Sequence, residues 1–256
     1  MASPKGLPTT RFGLLGMTWR PKVTPDEQAF PAMKAAIANG ATIWSSSSIY
    51  GMPPEKPTAG LSLLRRYFEK YPEDASKVTL FIRACFDTQA VCPVRVVEVE
   101  FSLWSTEILT NGVAATCKDL GVPILTYAPL GYGFLTGQIR KLEDIPQGDV
   151  RHMFGRFQPQ TFHKNLALVG KVNEFAQRRG ITPAQLALAW IRAHSNTSNC
   201  GIIIPIPGAT AAVRVEENCK EVQLSVEEKQ QLDEILESFQ IIGERQIVGR
   251  NSDLSG

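Results

Sequence analysis

Trp44 is followed by four serines, Ser45–Ser48, and after Ile49 by Tyr50, so the stretch SSSSIY is a dense run of hydroxyls. Small hydroxyls at the mouth of a pocket leave room for, and hydrogen-bond to, an oxygenated ligand; the plain alternative is polar filler. The other reactive groups are few. The five cysteines (Cys85, Cys92, Cys117, Cys200 and Cys219) are odd in number and show no CxxC spacing. Free buried thiols are therefore expected rather than disulfides or a metal site. With only three histidines, a His-based metal centre is poorer still, and no metal is expected. Cys85 has no histidine partner in sequence and reads as a buried thiol before a nucleophile. His152, His163, Asp149 and Arg151 fall in or beside the stretch 138–162, where no period is visible.

The elements that position these groups alternate strand and helix. Residues 11–19 read as a first strand. TPDEQAFPAMKAAIANG then reads as a helix, with Thr24 as N-cap, Pro25 at the first helical position, Glu27 completing a capping box and Gly40 as the stop. Residues 42–45 read as the second strand, 61–71 as a helix closed by Pro72, and 78–84 as the third strand. Beyond them come a strand at 95–103, a helix at 111–120 and a strand at 124–128 that runs into the Gly-rich turn PLGYGFLTG. Residues 138–162 read as a long loop, and 165–179 and 183–193 as helices. A last strand at 202–206 is followed by helices at 211–222 and 226–239, the latter capped by Ser225.

One connection is missing from this rhythm. Parallel strands need crossovers of about a dozen residues or more, yet the runs 78–84 and 95–103 are joined by a linker with no room for a helix. A crossover has been lost, or these two runs lie side by side in some other way. Six strands are counted in all.

The motifs GATIWSSSSIYG (40–51), VEVEFSLWS (97–105), ILTYAPLGYGFLTG (124–137), TPAQLALAWIRAH (182–194) and IPIPGATAAVRVEEN (204–218) occur in the order seen in aldo-keto reductases. The chain resembles the fungal pyridoxal reductase-like branch of that family from about residue 11 to 239. The resemblance implies an α/β fold, a (β/α)8 TIM barrel shortened to about six parallel strands by loss of the equivalents of strands 4 and 5. A single domain spanning 1–256 is expected, with a flexible stretch at 1–10 and a C-terminal tail at 240–256. It also implies a site at the C-terminal ends of the strands. Tyr50 matches the family's proton-donating tyrosine. Ser45 stands where the family has aspartate, and Arg83 where it has lysine; arginine keeps the charge but is bulkier and never deprotonated. The family's histidine falls on the missing fourth strand. Trp19, Ser47, Asp87 and His152 are the residues expected to meet the substrate.

NADPH is the one cofactor implied. Phe101 represents the aromatic that stacks on nicotinamide, and Leu130 and Gly131 belong to the turn whose backbone amides approach a pyrophosphate. Arg214, Glu217 and Asn218 remain where the family contacts the 2′-phosphate and adenine, while Thr210-Ala211 replaces the usual Ser-Lys. The adenine end is thus expected to dock, and the nicotinamide end to have lost its holders.

Net charge is +2 with Lys and Arg scattered, which argues against nucleic acid. No apolar run approaches the roughly 20 residues of a membrane span, and the first residues lack a signal-peptide core. A cytoplasmic protein is expected, acting on a small molecule and paired as a homodimer over the strand edges that the deletion exposes. The function read from the sequence is an enzyme of aldo-keto reductase descent whose degraded redox machinery serves a non-redox step, such as a cyclisation, isomerisation or pericyclic reaction. The alternatives are a weakened NADPH-dependent carbonyl reductase of pyridoxal type and a non-catalytic binding protein.

Overall fold

A computed structural model describes residues 12–47, 50–56, 58–83 and 96–245, with the backbone alone for 81–83. The chain divides into two compact units, Met1–Arg95 with Ile204–Lys220, and Val96–Ile203 with Glu221–Gly256.

In the first unit, β1 (Phe12–Gly13), β2 (Ile43–Ser47) and β3 (Thr79–Arg83) form a parallel sheet in that order. The register sets Phe12 beside Trp44, Trp44 beside Leu80 and Ser47 beside Arg83. The expected strand over 11–19 is much shorter. After Leu14 donates its N–H to the Ser45 carbonyl, the chain turns into a single helical turn, α1 (Leu15–Thr18). The apolar spacing explains this, because Leu14 and Met17 lie three apart and both are fully buried.

Helix α2 (Asp26–Ala38) starts one residue later than expected. Pro25 takes the cap position, its carbonyl accepting from Gln28 and Ala29. Thr24 does not cap: its buried hydroxyl has no partner among the described residues. The stop at Gly40 is as expected. With φ at +74° it lets Gly40 donate to Ile37 and Ala41 donate to Ala36, closing a Schellman motif. Helix α3 (Ala59–Lys70) lays Leu63, Leu64 and Tyr67 on the core. There Trp44 meets Tyr67 edge-on at 5.4 Å and Phe68 in a stack at 5.9 Å. The Tyr67 hydroxyl donates to the buried Asp74 at 2.7 Å, and Lys34 and Lys77 also reach that carboxylate. Burial alone would raise the Asp74 pKa, but these three partners outweigh it and hold it down at about 2.

In the second unit β4 (Val97–Glu100) pairs in parallel with β5 (Ile124–Tyr127), and β6 (Ile203–Pro205) begins at Ile203, the last residue of that unit before the chain returns to the first. Six strands are present among the described residues, as counted. Among the described residues β3 pairs with β2 and β4 with β5, and the short linker between the two runs lies outside the described residues. Helix α4 (Val113–Asp119) precedes β5, and α5 (Pro159–Arg179), α6 (Pro183–Ala193) and, further on, α8 (Val226–Glu237) cover the second core. Ser225 caps α8 as expected, its hydroxyl accepting from Glu228 N. Between α6 and α8 the chain passes through β6 and α7 (Ala212–Cys219), the helix that packs on α2 in the first unit.

The stretch 138–162 is not one open loop. It holds short 3-10 turns at Leu142–Asp144, Val150–Met153 and Gly155–Phe157, and α5 already begins at Pro159. Side chains replace periodicity as the organiser. Asp144 accepts from the backbone of Arg140 and Lys141, and Asp149 accepts from Arg151 N. The tail is docked as far as Arg245: Asn165 grips both the N–H and the carbonyl of Ile242 at 3.0 and 2.9 Å.

Candidate active site

The alternation of a strand decides where each residue of β2 points. Trp44 faces α3, and Ser46 shares that face. Gly60 on α3 approaches so closely that a Cβ there would stand 3.1 Å from Ser46 Oγ, 3.0 Å from Tyr50 Cβ and 3.4 Å from Thr18 Oγ1. Ser45 and Ser47 therefore occupy the opposite face, and all three serines are buried. The hydroxyls of Thr18, Ser45 and Ser46 have no hydrogen-bond partner among the described residues. Each costs on the order of 1–3 kcal/mol if left dry.

Tyr50 sits just past the C-terminal end of β2. Its carbonyl accepts from Gly60 N at 2.9 Å, its N–H donates to Ser47 O at 3.4 Å, and its ring stacks on Trp19 at 6.1 Å and 20°. Two backbone contacts and one aromatic plate thus fix a tyrosine that is only 4% exposed. Trp19, assigned from sequence to the substrate, serves here as that plate. Gly60 is what allows the arrangement. Gly60→Ala, ordinarily worth up to about 1 kcal/mol of extra stability in a helix, is instead expected to displace Tyr50 and lower turnover several-fold with little change in substrate KM, which steady-state kinetics would show.

Arg83 ends β3 opposite Ser47; its side chain, like Asp87, Cys85 and Ser48, lies outside the described residues. On α7, Arg214 is about half exposed and donates to Glu217 at 2.7 Å, while Asn218 is buried. The Arg-Glu-Asn group is thus brought together on one short helix.

In the second unit the turn after β5 is as glycine-dependent as its sequence implies. Gly131 and Gly133 have φ of +57° and +90°, and a Cβ on Gly131 would meet the Trp104 indole at 2.9 Å. Leu130 carries the turn, its carbonyl accepting from Gly133 and Leu135. Two expectations need correcting. Phe101 is fully buried, its ring against Trp190 at 5.0 Å and His194 at 5.4 Å, so it offers no free face to a nicotinamide. The cause is strand parity: Phe101 continues the core-facing series of Val97 and Val99. His152 is turned to the carbonyls of Ile145 and Pro146 at 3.3 and 3.1 Å. Its Nε2 must carry the proton to serve them, and the ring holds the segment together rather than facing a substrate.

Sequence reasoning missed a buried ionic cluster. Glu100, at the C-terminal end of β4, accepts from Ser105 Oγ at 2.9 Å, and Ser105 in turn accepts from Arg156 at 2.7 Å. Arg156 stands 3.8 Å and Arg245 3.5 Å from the same carboxylate. Burial pushes the Glu100 pKa up to about 7, against the pull of Arg156, Ser105 and Arg245. The available signal was the pair of acids in VEVE on an otherwise apolar strand, which demands remote cationic partners.

The model of the aldo/keto reductase family matches residues 73–237. The chain belongs to the aldo/keto reductase family. It is 31% identical to "Probable pyridoxal reductase 2" of Schizosaccharomyces pombe over 315 positions, covering 91% of this chain and 93% of that protein. An alignment longer than the 256-residue chain means that dozens of the relative's residues have no counterpart here, about the size of two βα units at roughly 30 residues each. Aldo-keto reductase yakc, an NADP(+) protein of the same yeast, is 39% identical over 169 positions, spanning 64% of this chain and 48% of yakc. Among solved structures, glycerol dehydrogenase AKR11B4 from Gluconobacter oxydans superposes with a TM-score of 0.64 at 18% identity, over 89% of this chain and 91% of that one. The fold class is accordingly a shortened α/β barrel of the family, and the pyridoxal reductase-like branch is the one the chain resembles. No helix among the described residues is long and apolar enough to cross a membrane.

Proposed function

We propose that this chain is an NADPH-dependent carbonyl reductase acting on a pyridoxal-type aldehyde, weakened by the changes around Tyr50. The observation that carries this reading is the setting of Tyr50, buried at the end of β2 and fixed by Ser47, Gly60 and Trp19. The similarity to a pyridoxal reductase across nearly its whole length supports it. The non-redox cyclisation or isomerisation read from the sequence finds no such support, since the named relatives are reductases.

The described residues fit the adenosine end of the cofactor better than its nicotinamide end. Arg214 presents a half-exposed guanidinium suited to a 2′-phosphate, with Glu217 holding its orientation. Phe101 is enclosed and supplies no plate. NADPH, when bound, supplies the hydride for a carbonyl carbon. The chain's own contribution is the proton, delivered from Tyr50 to the carbonyl oxygen. Ser45 is buried and neutral, so it cannot lend the charge that an aspartate would.

Mixing the protein with NADPH and pyridoxal, and following cofactor absorbance, tests the reading. Slow but enzyme-dependent oxidation is expected, below the roughly 1 per second of ordinary turnover. Absence of both NADPH oxidation and quenching of protein fluorescence by NADPH would refute it.

A further inference from the structure

Gly131, Tyr132 and Gly133 follow one another through the turn after β5 with φ of +57°, +57° and +90°. Glycine takes such angles without penalty, but the Cβ of a tyrosine crowds its own backbone there. Tyr132 therefore keeps the left-handed form only where its surroundings hold it. Two contacts do so: its ring lies against Phe154 at 5.0 Å, and its carbonyl accepts from Arg151 Nη1 at 3.0 Å. Arg151 is aimed in turn by Asp149, Nε donating to Oδ1 at 2.8 Å and Nη2 to Oδ2 at 2.9 Å. That two-point pairing fixes the guanidinium plane and leaves Nη1 directed at the turn, 3.6 Å from where a Cβ on Gly133 would stand. Both side chains of the pair are mostly enclosed, at 20% and 11% exposure.

Resting on the reading that this turn carries the backbone amides that approach a cofactor pyrophosphate, we propose that Arg151 is a positioning residue for NADPH binding. It holds the turn in its left-handed form through the Tyr132 carbonyl, while Asp149 holds Arg151. The charge of the guanidinium is answered by Asp149, and each of its three nitrogens already donates within the protein. Arg151 thus acts through the backbone and not on a phosphate. Lysine could not take its place, because one ammonium cannot pair flat with a carboxylate and serve a carbonyl on the far side in a fixed geometry. The turn is shaped before a cofactor arrives, and affinity gains by that preorganisation. Loss of Arg151 should therefore show in cofactor binding, while Tyr50, which follows β2 and makes none of these contacts, should deliver its proton as before.

The test titrates NADPH against protein fluorescence, and measures KM for NADPH and kcat with pyridoxal, in the full chain and in Arg151→Ala and Arg151→Lys. In Arg151→Ala the Kd and KM for NADPH should both rise about tenfold, the scale of losing one charge-assisted hydrogen bond. At saturating NADPH kcat should be unchanged, a split that a general loss of folded protein would not produce. Arg151→Lys should recover only part of the affinity, and it decides the matter if Arg151→Ala does not fold. The ionic-strength dependence of NADPH binding should be the same in Arg151→Ala as in the unsubstituted chain; a weaker dependence would mean that the guanidinium meets a phosphate itself and would overturn the positioning role. Tight binding in the unsubstituted chain with an unchanged Kd in both variants sinks this proposal alone. If the unsubstituted chain shows no quenching by NADPH, the reductase reading falls and the proposal with it.

Discussion

Tyr50→Phe is expected to lower NADPH-coupled reduction of pyridoxal by about 100-fold or more, the usual scale for removing a positioned proton donor. The substitution isolates one atom. Phenylalanine keeps the stack on Trp19, the burial of the ring, and the backbone contacts with Ser47 and Gly60, so these supports of the end of β2 stay in place. What disappears is the hydroxyl that protonates the carbonyl oxygen, and a hundredfold loss corresponds to about 3 kcal/mol of transition-state stabilisation. Because Arg214 and Glu217 stand on a different element, α7, binding of NADPH measured by fluorescence should persist in the variant. Full activity in Tyr50→Phe would move the proton donor elsewhere and leave Ser45 or a residue outside the described segments to supply it. Loss of NADPH binding along with activity would mean that Tyr50 acts through structure, and the assignment of a chemical role would fall.

The legibility of this chain differed between its levels. Elements whose ends are written in local chemistry were readable: α6 runs over Pro183–Ala193 as expected, and Gly40 and Ser225 end and begin their helices where a C-cap and an N-cap belong. The short linker between two apolar runs exposed the missing units, because crossover length is a hard geometric constraint. Periodicity failed where side chains do the organising. Around Asp144 and Asp149 the backbone is shaped by carboxylates accepting from nearby N–H groups, a pattern with no hydrophobic rhythm to follow. The residues 11–19 misled for another reason, since a spacing of three between Leu14 and Met17 is too short to separate one helical turn from a strand. At the candidate site, resemblance pointed to Tyr50 and the Arg214 group. It could not say that Phe101 turns into the core, because that depends on which face of β4 the second unit buries. Nor could it reveal the bond from Ser105 to Arg156, whose partners come from distant parts of the chain.

Two buried groups of the second unit should tilt stability with pH in opposite directions. His194 lies against Phe101 and Trp190, and burial, reinforced by Lys229 and opposed by Asp233, lowers its pKa from 6.5 to about 4. Between those values the unfolded chain holds a proton that the folded chain refuses, so this group's stabilisation is present above pH 6.5 and is lost as pH falls toward 4. Glu100 behaves in reverse. Its pKa is raised from 4.5 to about 7, so the folded chain keeps a proton that the unfolded chain releases. Its stabilisation is full below pH 4.5 and is lost as pH rises toward 7. Each shift corresponds to roughly 3 kcal/mol, and over the shared window the two nearly cancel. The carboxylates held low, Asp74 and Asp26 among them, respond only at more acid pH. Urea midpoints at pH 5 and pH 7 should therefore differ little in the unsubstituted protein. In His194→Gln the Glu100 response stands alone, and the chain should be more stable at pH 5 than at pH 7. In Glu100→Gln the order should invert, with stability lower at pH 5. The expectation rests on the packing that dehydrates both side chains, and it fails if both variants follow the same pH profile as the unsubstituted chain.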